Sequence, residues 1–374
     1  MRVLVTGGAG FIGAHLADAL LDEGHEVVVY DSLDAQVHGP NASPPSYLSP
    51  DVRFIAGDVR DIGGMERVIL GDRIEAIFHE AAAVGVGQSM YDIRRYVDVN
   101  CVGTATILDV LANNQHNVEK LIVASSMSIY GEGSYWCEDH GIVSPTIRSV
   151  EQLDLRKWEM PCPECGLDVE AAATAETKPL FPTSIYATTK RDQEEMVLNF
   201  GQAYELPTVA LRYFNAYGTR QSLSNPYTGV AAIFASSLLN GNPPRVFEDG
   251  HQSRDFTHVS DVVAANLLAL KRSSANFNAF NVGTGQPTSV LRVAEVLAHH
   301  LDLDIKAETL DQFRAGDIRH CYADTSLAAN ELGFTAKVVF DDGMRELTAW
   351  LVDQESHDLG AKAMGELNFH RLTR

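Results

Sequence analysis

The chain has 374 residues, 45% of them hydrophobic and 21% charged, with a formal net charge of −21. That length asks for one large domain and a smaller one, and the composition is that of a soluble globular enzyme. The acidic balance excludes nonspecific binding to nucleic acid or anionic lipid, although a few arginines can still form a local pocket for a small anion.

Along the first 130 residues short apolar runs alternate with amphipathic stretches. "RVLVTG", "EVVVYD", "VRFIAGD", "EAIFHEAA" and "KLIVASS" read as buried strands. Helical patterns lie between them, among them 11–23, closed by Gly24, and 93–112. Strands alternating with helices predict an α/β fold with a parallel, doubly wound sheet. Residues 131–178 break the rhythm: polar, proline-bearing and Cys-rich, they read as an insertion. A helix over 184–204 and the strand "PTVALRYF" resume the pattern. The expected division is a nucleotide-binding domain over 1–215 holding the insertion, a smaller α/β domain mainly over 216–354, and a loosely held tail over 355–374. Helices are expected there at 230–239, 261–271 and 290–300.

No apolar run approaches the about 18 residues of a membrane span. "MRVLVTGGAGFIG" has too short an apolar run and too many glycines for a signal peptide. With five cysteines and no secretion signal, the expected compartment is the cytoplasm, where cysteines remain thiols or bind metal.

"VLVTGGAGFIG" sets Gly7, Gly10 and Gly13 between a first strand and a first helix. Glycines there allow a tight turn, close approach of backbone to a pyrophosphate, and close helix–strand packing, the pattern of a Rossmann dinucleotide site. The pyrophosphate would rest on the helix N-terminus, beside Phe11 and Ile12. Asp31 ends the second strand, where a carboxylate holds ribose hydroxyls and repels a 2′-phosphate; Ser32, Leu33 and Asp34 follow with no cation. The expected cofactor is therefore NAD rather than NADP. Asp58 and Val59, after the third strand, suit the adenine edge, or Asp58 caps a helix. Ala81, after the fourth, completes the expected contacts.

"YATTK" puts Tyr186 and Lys190 one helical turn apart. Alone the spacing is weak evidence, but "VASSMSIYG" ends the fifth strand, where open α/β sheets place ligands. The glycine turn, "ASSMSIYG", "YATTK" and "LRYFNAYG", in that order, resemble the extended short-chain dehydrogenase/reductase family, whose members work largely on nucleotide sugars. "RDFTHVSD", "FNVGTG" and "RAGDIRHCYAD" extend the resemblance over nearly the whole chain. It implies Ser126, Tyr186 and Lys190 as a catalytic trio, Ser128 touching the sugar, and Asn100 and Asn215 helping to hold cofactor and substrate.

Oxidising a sugar hydroxyl needs a base for the O–H proton. A free tyrosine has a pKa of about 10, so acting as phenolate near neutrality requires about 4 kcal/mol of stabilisation. A lysine ammonium or an oxidised nicotinamide about 4 Å away supplies that order of energy at an effective dielectric of about 20. Relatives that dehydrate carry an aspartate–glutamate pair just before "YG"; here Ser128 and Ile129 stand there. A net reductase would need NADPH, which Asp31 disfavours. What remains is oxidation at C4 and return of the hydride to the other face, a 4-epimerase.

The resemblance further implies that Arg254 and Arg314 grip the nucleotide diphosphate, a task suited to a bidentate guanidinium, with Asp317 on the ribose. The resemblance also implies a substrate-facing loop at Asn225, Tyr227 and Thr228. Val84 replaces the lysine usual in UDP-galactose epimerases, and Cys321 borders the hexose where a larger aromatic is often found.

Cys137, His140, Cys162 and Cys165 form two short-spaced pairs able to complete a tetrahedral zinc site. A closed four-ligand site would be structural, pinning an insertion too polar to fold around its own core; incidental thiols or a redox disulfide are the alternatives. This insertion, with "VGVGQSM" and "SNPYTG", is similar to the branch of the family that epimerises dTDP-L-rhamnose, whose members tend to have cysteine at all four places. Epimerisation of a UDP-hexose or UDP-N-acetylhexosamine is the enzyme alternative, and a noncatalytic NAD-sensing module the other. Relatives pair through two long helices per subunit, here 93–112 and 184–204, so a homodimer is expected, with no nucleic-acid or membrane partner.

Overall fold

A computed structural model describes residues 1–40 and 43–374. Seven parallel strands form its main sheet: β1 (Arg2–Thr6), β2 (Glu26–Asp31), β3 (Arg53–Ala56), β4 (Ala76–His79), β5 (Lys120–Ser126), β6 (Thr208–Tyr213) and β7 (Asn278–Val282). They lie in the order β7-β6-β5-β4-β1-β2-β3. Chain order reverses between β4 and β1, and the crevice beyond the strand ends at such a point is where these sheets bind ligands.

The strands are apolar on both faces because helices cover both. Val3, Val5, Val27, Val29 and Phe78 pack with Ala14, Leu16 and Leu20 of helix Phe11–Asp22. Leu4, Val28, Ile77 and Leu121 pack on the other side with Ile107, Val110 and Val197. Successive residues of each strand serve opposite layers, so each buried Val, Leu or Ile contributes roughly 1.5–3 kcal/mol. Seven consecutive buried residues in β5 follow from this double cover. The sequence expectation of an α/β doubly wound sheet is met.

The predicted 93–112 helix is broken in character though continuous in course. Ile93–Tyr96 and Gly103–Asn113 are α-helical, and Val97–Val102 forms a π turn between them. Such turns often mark functional sites, and this one carries Asn100. The 184–204 helix begins at Ile185, with the Ser184 hydroxyl accepting from the Ala187 amide at 3.1 Å. Strand β7 lies beyond residue 216, so the second half of the chain also returns to the main sheet.

A further core holds Phe234, Leu238, Val293, Leu297, Met344 and Leu347, from helices Val230–Leu239, Val290–His300 and Phe340–Leu351, together with Leu223 and Phe256. Short strands Asn215–Tyr217, Ser253–His258, Pro287–Ser289 and His320–Cys321 tie it together. The Cys-rich insertion is a small antiparallel sheet of Ser134–Cys137, Gly141–Val143 and Glu170–Ala172. Its core is slight: Tyr135, Cys137, Val143, Met160 and Cys162.

The chain end is not loosely held, contrary to expectation. Residues Gly360–Phe369 form a helix that buries Ala363 and Leu367. Beyond it Arg374 and Leu372 pair through their backbone with Phe313 and Ala315 at 2.8–3.0 Å. Glu366 accepts from the hydroxyls of Tyr91 and Tyr227. The polar composition of the tail concealed two apolar anchors and a backbone that pairs with residues 313–315. No helix among the described residues is long and apolar enough to cross a membrane.

Candidate active site

A cleft of about 480 Å³ opens over the strand ends at the β1–β4 reversal. Its floor is the glycine turn. Gly7 has φ +68°, and a Cβ there would lie 2.8 Å from the Ala81 backbone; one on Gly13 would come within 2.4 Å of the Gly7 carbonyl. Only hydrogen fits at these points, which leaves a cradle open to a pyrophosphate above the helix that starts at Phe11. Gly10, Phe11, Ile12, Asp31, Asp58, Val59 and Ala81 all line the cleft. The Asp31 carboxylate accepts from the amides of Ala9 (3.0 Å) and Leu33 (2.8 Å), which fixes it at the ribose end. The donor set suits NAD.

Asp58 is more engaged than a free adenine ligand would be. Arg60 grips it through Nε at 2.9 Å, and this hydrogen bond holds its carboxyl below the usual range. Arg60 and Arg95 both line the cleft, and Arg95 is tied to Asp34 at 3.0 Å and Gln36 at 2.7 Å. Sequence reasoning missed both cations because it searched only the residues directly after Asp31. Each pairs with an aspartate, Arg60 with Asp58 and Arg95 with Asp34.

Ser126, Ser128, Tyr186 and Lys190 meet at the other end. Ser126 ends β5, and its Oγ receives the Ser128 hydroxyl at 2.9 Å. The Tyr186 ring lies edge-on to Tyr96, with centroids 6.3 Å apart. Lys190 Nζ donates to the Ala124 carbonyl at 2.8 Å. Burial pushes the Tyr186 phenol up, with Ser126 acting to lower it, and burial pulls Lys190 down to about 8. Beneath them His79 bonds Thr6 and Thr104 and is held neutral, pulled down to about 3 by burial and next by the lysine charge.

Asn100 lies behind the wall rather than in it. Its side chain pairs with both backbone groups of Ala83 and donates to Thr189 Oγ1 at 2.9 Å, and Thr189 in turn donates to the Tyr186 carbonyl. It therefore sets the cleft-lining loop and the Tyr186 helix relative to each other. Asn215, Asn225, Tyr227 and Thr228 do line the cleft. Gln36 bonds Gln88 and Asn225 at 3.1 Å each, bridging the cleft mouth, another feature that sequence reasoning missed.

Arg254, Arg314, Asp317 and Cys321 cluster beside the cleft, outside its wall. The half-buried Arg254 guanidinium donates to the carbonyls of Ile318 (2.7 Å) and Arg319 (2.9 Å). Arg314 pairs with Asp317 at 2.7 Å and lies over the Phe247 ring. Cys321 pairs in register with Arg254, and burial pushes its thiol up to about 12. That keeps it an inert small side chain.

The insertion gathers its four predicted ligands. Cys137 Sγ lies 3.5 Å from His140 Nδ1 and 3.8 Å from Cys165 Sγ, and Cys162 Sγ lies 3.8 Å from His140 Nδ1. All four ligand atoms fall within 4.8 Å of one another. A tetrahedral zinc with Zn–S of about 2.3 Å and Zn–N of about 2.0 Å has ligand–ligand edges of about 3.5–3.8 Å. The donor set therefore fits zinc in both chemistry and size.

Residues 3–149 match the profile of the NAD dependent epimerase/dehydratase family, and residues 166–347 that of GDP-mannose 4,6 dehydratase. The chain is 34% identical over 353 residues to the dTDP-L-rhamnose 4-epimerase of Burkholderia thailandensis, spanning 94% of this chain and 95% of that protein. The chain belongs to the NAD-dependent epimerase/dehydratase family. The UDP-glucose 4-epimerase of Thermus thermophilus, solved with NAD, superposes with a TM-score of 0.75 at 31% identity over 95% of this chain and 100% of that one. The UDP-N-acetylglucosamine 4-epimerase of Methanobrevibacter ruminantium, solved with UDP-N-acetylmuramic acid, gives 0.75 at 30% over 95% and 99%. The protein is thus an NAD-dependent sugar-nucleotide epimerase of the 4-epimerase group.

Proposed function

We propose that this enzyme interconverts dTDP-L-rhamnose and its C4 epimer. Tyr186 takes the C4 hydroxyl proton and later returns it; Lys190 stabilises the phenolate and Ser126 orients the hydroxyl. NAD, held by Gly7, Gly10, Phe11, Ile12, Gly13, Asp31, Asp58, Val59 and Ala81 with Asn100 behind them, supplies the hydride acceptor and donor at C4. Ser128, Asn215, Asn225, Tyr227 and Cys321 hold the sugar, and Arg254, Arg314 and Asp317 of the 216–354 domain the nucleotide side. Residues 1–215 are assigned to the cofactor. The observation that carries the reading is a cleft uniting Ser126, Tyr186 and Lys190 with no carboxylate at Ser128 or Ile129 to eliminate water.

The sugar rests on the Burkholderia relative and on the four-ligand insertion, which we assign to structural zinc. A UDP-hexose or UDP-N-acetylhexosamine is the second reading, favoured by the small Cys321. The five free cysteines agree with a reducing, cytoplasmic setting. Incubating the purified protein, without added cofactor, with dTDP-L-rhamnose and following the C4 proton by NMR tests the proposal. The C4 epimer is expected. No change in protein shown to carry NAD overturns the substrate and turns the search to UDP-sugars.

We infer a homodimer through the helix of Asn100. Ile93, Val97 and Val102 are 48%, 39% and 45% exposed. They are spaced by four and then, across the π turn, by five residues, so they share one outward face. Light scattering at micromolar concentration is expected to give twice the 40.8 kDa chain mass, and a lone monomer overturns the inference.

A further inference from the structure

Tyr227 lines the cleft, yet its hydroxyl is already committed elsewhere. It donates to Glu366 of the C-terminal helix, and its oxygen lies 2.5 Å from the hydroxyl of Tyr91, which reaches the same Glu366 Oε2 at 2.8 Å. Three oxygens share two phenolic protons, and the carboxylate is the one that can only accept. The Tyr227 hydrogen bond, with that of Tyr91, holds the Glu366 carboxyl below its usual range, so it is ionised at neutral pH. The helix carrying Glu366 is itself fixed. Leu367 sits on Gly87, where a Cβ would lie 3.2 Å from its Cδ2, and the His370 ring stacks on Tyr91 with centroids 4.4 Å apart. Beyond the helix, Thr373 bridges to Arg314.

The chain around Tyr227 cannot hold itself. Residues 218–229 form neither helix nor strand, so side-chain bonds decide where this stretch of wall stands. On the cofactor side Asn225 Oδ1 accepts from the Tyr227 amide and from Gln36 Nε2, at 3.1 Å each. On the far side the hold is Glu366. We propose that Glu366 is a positioning residue for the substrate: acting through Tyr227, its carboxylate sets the part of the cleft wall on which the sugar rests. This role rests on the placing of Tyr227 against the sugar, proposed above, and brings the C-terminal helix into the substrate site. A merely structural helix is distinguishable, because Leu367 and His370 keep their contacts when Glu366 loses its carboxylate.

The test measures kcat and KM of the NAD-loaded enzyme, with dTDP-L-rhamnose first, and follows hydrogen exchange over residues 222–230 by mass spectrometry. Glu366→Ala is expected to raise KM about tenfold, the scale of a lost hydrogen bond to a charged group, with kcat within about twofold and bound NAD unchanged. Glu366→Gln keeps an acceptor oxygen and is expected within about threefold of wild type. Tyr227→Phe should raise KM to a like extent, and the double variant no further, since the carboxylate acts through that hydroxyl. Exchange over 222–230 should quicken in Glu366→Ala while the 185–204 helix is unmoved. A wild-type KM in Glu366→Ala overturns the proposal, as does an additive double variant. Quicker exchange in Glu366→Ala, when the wild type turns over no dTDP-L-rhamnose, counts against that substrate and leaves the Glu366 brace standing, its KM then read with UDP-glucose.

Discussion

Replacing Tyr186 with phenylalanine is expected to lower kcat by about a hundred- to ten-thousand-fold while bound NAD is retained. The magnitude is that of removing a positioned general base. Its selectivity comes from the packing. Phenylalanine keeps the ring that lies edge-on to Tyr96 and the helix that Ser184 caps, so only the hydroxyl leaves. Burial raises the phenol's pKa, making Tyr186 a poor base at neutral pH unless positive charge stands beside it. Lys190→Met should therefore also depress kcat, and more strongly at lower pH, where an unassisted phenol stays protonated. Turnover and NAD content, measured on the same preparations, check this. A Tyr186→Phe enzyme within about tenfold of wild type would mean that the proton leaves through another group.

Much of this site was legible because its elements are local. The glycine turn, Asp31 at the end of β2, Ser126 at the end of β5 and the one-turn spacing of Tyr186 and Lys190 each follow from a strand or helix whose periodicity can be read directly. The meeting of Cys137, His140, Cys162 and Cys165 was legible from their spacing. What escaped was long-range. Arg95 reaches the cleft from a helix 64 residues after Asp31, and Gln36 meets Asn225 across 189 positions. Glu80 falls inside the strand run "EAIFHEAA"; its hydrogen-bond partner Tyr213 comes from β6, so nothing local marks it. The π turn at Val97–Val102 escaped as well, since an extra residue in one turn scarcely disturbs an apolar pattern. The tail failed for the opposite reason, its two anchors being too few to show as a period.

Stripping the metal from the insertion is expected to loosen the substrate side of the enzyme, because the insertion is keyed there by buried charge. Arg148 pairs with Glu248 at 2.8 Å, and Arg319 pairs with Glu248 at 3.0 Å and Asp249 at 2.7 Å. Glu132 accepts the Arg319 amide at 2.7 Å, and Glu159 bonds both Arg319 and His320. The side chains of Arg148, Glu132 and Arg319 are almost wholly buried. If the insertion melts, Arg319 and Glu248 lose partners supplied by it, and breaking a buried pair costs about 3–5 kcal/mol. The insertion's own core is small, so on the zinc assignment most of its stability is expected to come from the metal. Protein purified without chelator is expected to carry one zinc per chain, and Cys162→Ser less than a tenth. The variant's Tm should fall by about 5 °C or more. Its KM for the nucleotide sugar should rise with kcat little changed, because Arg254 sits on the Ile318 and Arg319 carbonyls while Tyr186 and Lys190 lie on the main sheet's side. Less than a tenth of an equivalent of zinc in the wild-type protein would overturn the metal assignment, and the buried charge network would then have to hold the insertion by itself.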